Sequence, residues 1–575
     1  MSRPGGSPCL WIVAVLGVSW PMAAATDQAA FSEIAAQVGL DFQHVNGAEG
    51  EYYFAEVSGA GGAFLDYDND GDLDVYLVQG ARLASGPPVD GETSGPPLVD
   101  RLYRNDLEIR ADGTREIRMV DVTLASGLRA TGYGMGVATG DYNNDGWLDI
   151  YVTNYGANQM WRNNGDGTFT EVTAETGTGD SRWSISATFF DYDRDGWLDL
   201  YVTNYTDYAL ASHKPCRSYT GALDYCGPLA YNPQPDRLFH NRGDGSYDVV
   251  SAASGIGLVA GSGMGVVSLD VNGDDWPDLY VANDGMENWM WVNDRDGTFT
   301  NQALLGGTAF NDQGHPEAGM GIAAGDFDGD GDEDLIVSHL NRETNTLFEN
   351  VGDGFFEDSS LATGVGLPSW EFTGFGIAWI DYDNDGWLDL AVANGAVKRL
   401  EALVLRGDDS PFHQTNQLFR NLGKGRLYDA SEDLGDARLL SEMSRGLAVG
   451  DFDNDGDADF LITNDGGPAR LLRNEVGNRQ NWLGVRLLDA TTRRPLFGTW
   501  VELETASGES LRRRVRTAGS YASARDDRVV FGLGTSGSVG RLRARWPSGR
   551  QSVWDPGVRN RYLIFVAPRP EPTAP

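Results

Sequence analysis

Short apolar runs alternate with polar turns along this chain, and four such parts recur in a fixed order. A small-residue stretch leads in, as in Gly134-Met135-Gly136-Val137, Gly263-Met264-Gly265-Val266, Gly319-Met320-Gly321-Ile322 and Gly374-Phe375-Gly376-Ile377. After an acidic loop comes a β-rich run such as Ile150-Tyr151-Val152-Thr153 or Leu200-Tyr201-Val202-Thr203. A third run, such as Met160-Trp161-Arg162-Asn163 or Leu418-Phe419-Arg420-Asn421, ends in a Gly-rich turn suited to the positive φ angles of a hairpin. A fourth, of the type Phe169-Thr170-Glu171-Val172, closes the unit. Four short strands repeating every 50 to 79 residues predict the blades of an all-β propeller, with small residues where the innermost strands crowd the axis.

The acidic loop reads Asp-x-[Asp/Asn]-x-Asp-[Gly/Asp]-x-x-Asp and occurs seven times, which predicts seven blades. Positions one, three, five and nine are the candidate metal ligands. They are Asp66, Asp68, Asp70 and Asp74 in the first loop, and Asp141, Asn143, Asp145 and Asp149 in the second. The third and fourth hold Asp191, Asp193, Asp195 and Asp199, then Asp270, Asn272, Asp274 and Asp278. The fifth and sixth hold Asp326, Asp328, Asp330 and Asp334, then Asp381, Asp383, Asp385 and Asp389. The last holds Asp451, Asp453, Asp455 and Asp459. Oxygens so spaced, with a position-six Gly for the sharp turn, suit Ca²⁺, a hard cation taking six to eight oxygen ligands. Up to seven Ca²⁺ are therefore expected. Loop four should bind most weakly, because Asn272 replaces a carboxylate and Asp275 replaces the turn Gly. At position seven Trp147, Trp197, Trp276 and Trp387 recur, a periodicity that predicts blade packing and not sugar stacking.

Counting strands predicts how the ring closes. The fourth run follows loops one to six, near Met119, Phe169, Tyr247, Phe299, Phe355 and Leu427, but not loop seven. A spare copy, Phe31-Ser32-Glu33-Ile34-Ala35, precedes loop one and is expected to complete the last blade. Three connections between second and third runs are long: Gln79 to Arg101, Tyr205 to Asp236 and Ala396 to Gln417. They are expected on the face opposite the Asp loops, where long ordered loops carry function.

Charge divides the chain. The net is −40, yet 41% hydrophobic residues argue for a folded protein. From Glu475 onward 17 Arg and no Lys face nine acidic residues, a net of +8, which leaves −48 for the remainder. So acidic a chain is a poor partner for nucleic acid. At the N-terminus Arg3, the apolar Leu10 to Trp20 and Ala23-Ala24-Ala25 read as a secretory signal over residues 1–25, with an uncleaved anchor as the alternative. No later segment reaches membrane-spanning length, so a secreted, periplasmic or cell-surface protein without a transmembrane segment is expected. Cys216 and Cys226 then read as a disulfide, with a two-cysteine metal site as the lesser reading.

The propeller is expected over residues 26–474, followed by a small β-domain at 475–570 with alternating runs such as Leu483-Gly484-Val485-Arg486-Leu487. Its arginines would face solvent, dock on the acidic propeller, or meet an anionic glycan or membrane. The Asp-loop units resemble FG-GAP/VCBS-type propeller repeats, seen also in integrin α-subunit heads. Phe531-Gly532-Leu533-Gly534 and Leu542-Arg543-Ala544-Arg545-Trp546-Pro547-Ser548-Gly549 are similar to the ASPIC and UnbV domain. Together they resemble the bacterial cartilage acidic protein-like family. One stretch, Arg494-Pro495-Leu496-Phe497-Gly498-Thr499, departs from that family's pattern. The resemblance implies secreted Ca²⁺-binding proteins with interaction roles, and a position-nine Asp that binds the ion directly while position seven offers its carbonyl.

No catalytic motif stands out, so the chain is not expected to be an enzyme. His44, Glu56, His213, His315, Glu317 and His413 fall in connections expected on the face away from the Asp loops, where they form a candidate ligand cluster. The function expected is binding of a protein or glycan at a surface, in the manner of an adhesin. The alternatives are a polysaccharide lyase or hydrolase using the loop-rich face, and an accessory protein of an exported complex.

Overall fold

The computed structural model describes residues 29–83, 98–218, 220–505, 508–536 and 539–568. The expected signal segment, and residues 84–97 of the first long connection, lie outside the described residues. Seven four-stranded antiparallel sheets form the larger part. In blade one the strands are Gly62–Leu65, Asp74–Leu77, Arg101–Asn105 and Met119–Asp121, numbered outward from the axis. The innermost strands of successive blades adjoin one another, and Gly62–Leu65 of blade one adjoins Ser444–Gly450 of blade seven, so the ring is closed.

Closure uses the N-terminal strand. Phe31–Glu33 pairs antiparallel with Arg470–Asn474, with Phe31 opposite Asn474, and becomes the outermost strand of blade seven. Phe31 is buried and stacks on Phe460 at 4.8 Å between ring centroids. The outermost strands of the other blades lie where the repeat places them, with one difference. In blade five the strand is Phe356–Asp358, and Phe356 is buried while Phe355 points to solvent. A Phe-Phe doublet offers two registers of alternation, and only the packing chooses between them.

Between blades the apolar faces merge. The aromatic at position two of an Asp loop packs against the outermost strand of the following blade, as Tyr67 does on Phe169 and Tyr192 on Phe299. The position-seven Trp packs on its own blade's hairpin in blades two, three and six, and Trp387 and Trp276 also meet Gly329 and Arg194 of the preceding blade's loop. Trp147, Trp197 and Trp387 lie against the hairpin glycines Gly165, Gly243 and Gly423.

The C-terminal module has two sheets, one of three strands and one of four, around a shared apolar core that includes Leu483, Val485, Val501, Phe531 and Trp546. The segment between its strands Ser510–Arg514 and Val529–Gly534 enters the propeller axis. Its backbone bonds inner strands directly: Ala522 C=O accepts from Val137 N–H (3.1 Å), Ala524 N–H donates to Gly62 C=O (3.1 Å), and Ser520 C=O accepts from Ile322 N–H (3.1 Å). Tyr521 passes furthest and donates its hydroxyl to Ser58 C=O at 2.8 Å. The crowding explains Gly136, where a Cβ would lie 2.9 Å from the Ala522 Cα.

Two expected outcomes follow from the closing strand. Removing residues 29–40, or replacing Phe31 by Ala, uncovers the edge of blade seven and empties a buried ring site. A loss of about 3–5 kcal/mol is expected for Phe31→Ala. Thermal melting of either variant at the wild-type temperature would show that the ring does not depend on that strand.

Candidate functional site

Each Asp loop joins the first two strands of a blade, so the seven loops share one end of the ring. Position nine begins the second strand and is fully buried in every blade. Its two oxygens do two structural jobs. In blade two Asp149 accepts from Tyr142 N–H (3.1 Å), which folds the loop, and from Asn163 N–H (2.8 Å), which fixes the third strand. All seven copies repeat this pair of bonds. Position-one carboxylates accept backbone N–H groups from their own loop, as Asp141 does from Asp145 and Gly146. Positions four and six both adopt positive φ throughout. In loop four Asp275 holds φ +74° at position six, a conformation that costs a residue with a Cβ.

The third-strand Asn is a residue that the motif reading passed over. Asn163 Nδ2 donates 2.8 Å to Tyr67 C=O in the loop of the preceding blade. The same bond runs from Asn241 to Tyr142, Asn293 to Tyr192, Asn350 to Val271, Asn421 to Phe327 and Asn474 to Tyr382. Asn105 reaches Phe452 and closes the cycle. Its sequence signal was the Asn ending each third run.

The loops fit a cation. Carboxylate oxygens of Asp66, Asp68 and Asp70, of Asp191, Asp193 and Asp195, of Asp326, Asp328 and Asp334, and of Asp381, Asp383 and Asp385 lie within 4.8 Å of one another in each set. Oδ1 atoms of Asp66, Asp68, Asp191, Asp383 and Asp453 are buried with no donor. Burial, reinforced by neighbouring carboxylates, pushes Asp278 up to about 8 and Asp334 to about 9. Position seven is less uniform than expected, since Asp332 and Asp457 also carry a buried oxygen without a donor. In blade three a histidine joins the loop, with His240 Nδ1 3.2 Å from Asp199 and 3.5 Å from Asp193.

The arginines of the C-terminal module dock on this same end. Arg486 pairs with Asp66 at 3.0 Å, Arg545 with Asp275, and Arg514 and Arg516 with the buried Glu333. Tyr562 donates to Asp451 (2.6 Å) and Gly532 N–H to Asp381 (3.2 Å). Burial raises every position-one carboxyl, and a module arginine opposes it in each loop. Arg486 acts on Asp66, Arg494 on Asp141 and Asp191, and Arg514 on Asp270. Arg513 acts on Asp326 and Asp381, and Arg528 on Asp451. The divergent 494–499 turn is therefore the one that presents Arg494.

On the opposite face His44 and Glu56 share one neighbour, Asp465, which lies 3.4 Å from His44, while Glu317 has separate partners. His44 and Glu56 are buried. Gly466 N–H donates to His44 Nδ1 at 3.0 Å, and Tyr225 donates its hydroxyl to Glu56 at 3.0 Å. His213 stacks edge-on against Tyr53 at 5.0 Å. Glu317 sits elsewhere, held by Asn311 and Thr346, 3.7 Å from His339, which the motif reading missed. His315 is exposed and His413 half-buried. An aromatic cluster including Phe54, Trp183, Tyr205 and Tyr208 packs at this face. The disulfide forms, with Cys216 and Cys226 Cα atoms 5.1 Å apart, and it staples the long connection that carries Tyr225.

Profiles of known families match two parts of the chain. The FG-GAP-like repeat matches residues 141–202, 270–337, 326–392 and 399–462, and the ASPIC and UnbV domain matches 489–571. Cartilage acidic protein 1 of Homo sapiens is 26% identical over 368 residues, 61% of this chain and 52% of that protein. The Xenopus tropicalis protein of that name is 25% identical over 56% of this chain and 48% of its own length. The chain thus spans about half the length of the curated relatives it matches. Among solved structures, a lectin from Burkholderia pseudomallei is similar at TM-score 0.40 and 11% identity, covering 73% of this chain and 96% of its own. YCF48 bound to D1 peptide is similar at TM-score 0.38 and 7% identity, covering 78% and 96%.

Two substitutions separate these roles. Asn163→Ala removes a buried bond between blades one and two, with an expected loss of about 1–3 kcal/mol in a denaturant titration. A loss no larger than that of a surface Asn→Ala control would show that the bond is dispensable. Glu56 is held at about 7 by burial. Because the folded value lies above the unfolded one, its stabilising share is present in acid and is lost as pH rises from about 4.5 through 7. Glu56→Gln should therefore match the wild type near pH 4.5 and exceed it by up to about 3 kcal/mol at pH 8. Parallel pH profiles for the two proteins would refute that assignment.

Proposed function

Because the chain belongs to the family that joins FG-GAP-like repeats to an ASPIC and UnbV domain, we propose that it is an exported, Ca²⁺-binding interaction protein of the adhesion type. The observation that carries the Ca²⁺ reading is the set of buried loop oxygens without donors, gathered where like charges crowd. Asp and Asn oxygens at positions one, three, five and nine would hold each ion. The ion would supply positive charge, and by binding the folded state preferentially it would stabilise the ring.

The role proposed is binding and not catalysis. On the face opposite the loops, one Glu56 oxygen accepts from Tyr225 and the His213 ring packs edge-on against Tyr53. The Asp-loop face is covered by the C-terminal module, which leaves the opposite face as the larger candidate for a partner. There the long connections raise apolar tips to solvent, with Leu229 82% and Leu405 83% exposed. A protein or glycan at a surface suits such a face. The disulfide fits an oxidising compartment, and among the described residues no helix is long and apolar enough to cross a membrane.

Two measurements test the proposal. Chelation should lower the melting temperature of the full chain and Ca²⁺ should restore it, whereas identical melting with Ca²⁺ and with chelator would refute the metal role. On arrays of surface proteins and glycans, Leu229→Asp combined with Leu405→Asp should reduce capture at least about tenfold. Its melting should be unchanged. Capture that survives the double substitution would place the partner elsewhere.

A further inference from the structure

Six arginines of the C-terminal module line a cavity of about 80 Å³ between that module and blades five to seven, and five of them have fixed partners. Arg514 and Arg516 share Glu333, Arg528 is paired with Asp526, and Arg512 and Arg513 donate to Gly331 and Gly386 carbonyls. The sixth, Arg525, has no hydrogen-bond or ion-pair partner for its guanidinium among the described residues. Its backbone N–H donates to Thr517 C=O at 2.9 Å, which closes the neck of the segment entering the axis. The side chain is thereby held at the cavity, and it also lines a smaller one beside Ser520 and Ser523.

The acids on the cavity wall are already committed. Glu333 and Asp526 are paired with arginines, Asp326 accepts from Gly329 N–H, and Asp381 and Asp451 accept loop and module donors. We propose that this cavity is a binding site for a small inorganic anion, with Arg525 as its principal contact and Arg516 and Arg513 as supporting charges. Burial, then the charge of Arg516, lowers Arg525 to about 10, so it remains a cation at neutral pH. Water could occupy its N–H donors, but water brings no charge to set against the nearby Arg516, which outweighs Asp526 in its effect on Arg525. A halide or small oxyanion does both, and guanidinium suits either. The cavity borders three Asp loops, since Asp326, Asp381 and Asp451 line its wall, so its test holds Ca²⁺ fixed.

The test uses the full chain at fixed Ca²⁺ and ionic strength, with chloride as the probe and gluconate, too large for the cavity, as the reference. Replacing gluconate by chloride should raise the melting temperature saturably, by about 2 °C. Arg525→Met should abolish that difference. Bromide in crystals of the wild type should give an anomalous peak within hydrogen-bond distance of Arg525, which decides the matter if the variant does not fold. Equal melting in both salts, or an equal chloride response in Arg525→Met, overturns the proposal. A bromide peak without a chloride-dependent melt means binding at crystal concentration only, and overturns it too.

Discussion

A single buried carboxylate organises every blade. The position-nine Asp starts the second strand with no accessible surface, and its two oxygens hold the loop before it and the strand beyond it. A buried acceptor with both oxygens bonded to backbone N–H groups is costly to disturb, because neither donor has an alternative partner. The Asn so positioned then reaches back to the loop of the preceding blade. Strand, loop and neighbouring blade are thus joined through two residues. Because the pattern runs through all seven blades and closes from Asn105 to Phe452, each loop's geometry depends on the integrity of the ring.

Concentrating so many carboxylates at one end creates the main electrostatic problem of the fold. The structure opposes it with the only strongly basic part of the chain. The module's arginines lie over the position-one carboxylates of all seven loops, and its strands supply N–H and hydroxyl donors to two of them. The module also sends Tyr521 along the axis, so its contacts extend beyond the charged rim. Pairing of this kind offsets desolvation and excludes alternative dockings more than it adds net stability. The axial segment supplies the apolar burial that the charges do not.

The blade count, the loops and the closing strand were legible because each copy carries its own Asp and Gly punctuation, and a missing strand shows as a gap in a regular series. Packing between copies was not. The Asn163 bond joins residues 96 positions apart. Local pattern contains no statement of which carbonyl such a side chain will reach. The axial segment had a signal in Ala518-Gly519-Ser520-Tyr521-Ala522-Ser523-Ala524, a small-residue run like those of the inner strands. It stood inside an Arg-rich module, where nothing called for close backbone approach. Net charge announced that the module would associate with something acidic, and the nearest acidic surface proved to be the same chain. The histidines and acids of the opposite face have separate partners, Gly466 for His44, Tyr225 for Glu56, and Asn311 and Thr346 for Glu317, which local pattern does not name.

These placements divide the molecule by task. A face whose carboxylates are bonded internally and capped by arginines has little freedom to accept a large partner. The opposite face is built from long connections, one of them stapled by a disulfide, over an aromatic base that is already packed. Ordered loops on a rigid base lose little entropy when they bind, so they can present apolar tips such as Leu229 and Leu405 at low cost. The paired strands of every blade, and the axial Tyr521, join the two ends of the ring. Metal binding at one end would then act on recognition at the other by keeping the ring closed, with no metal atom near the partner.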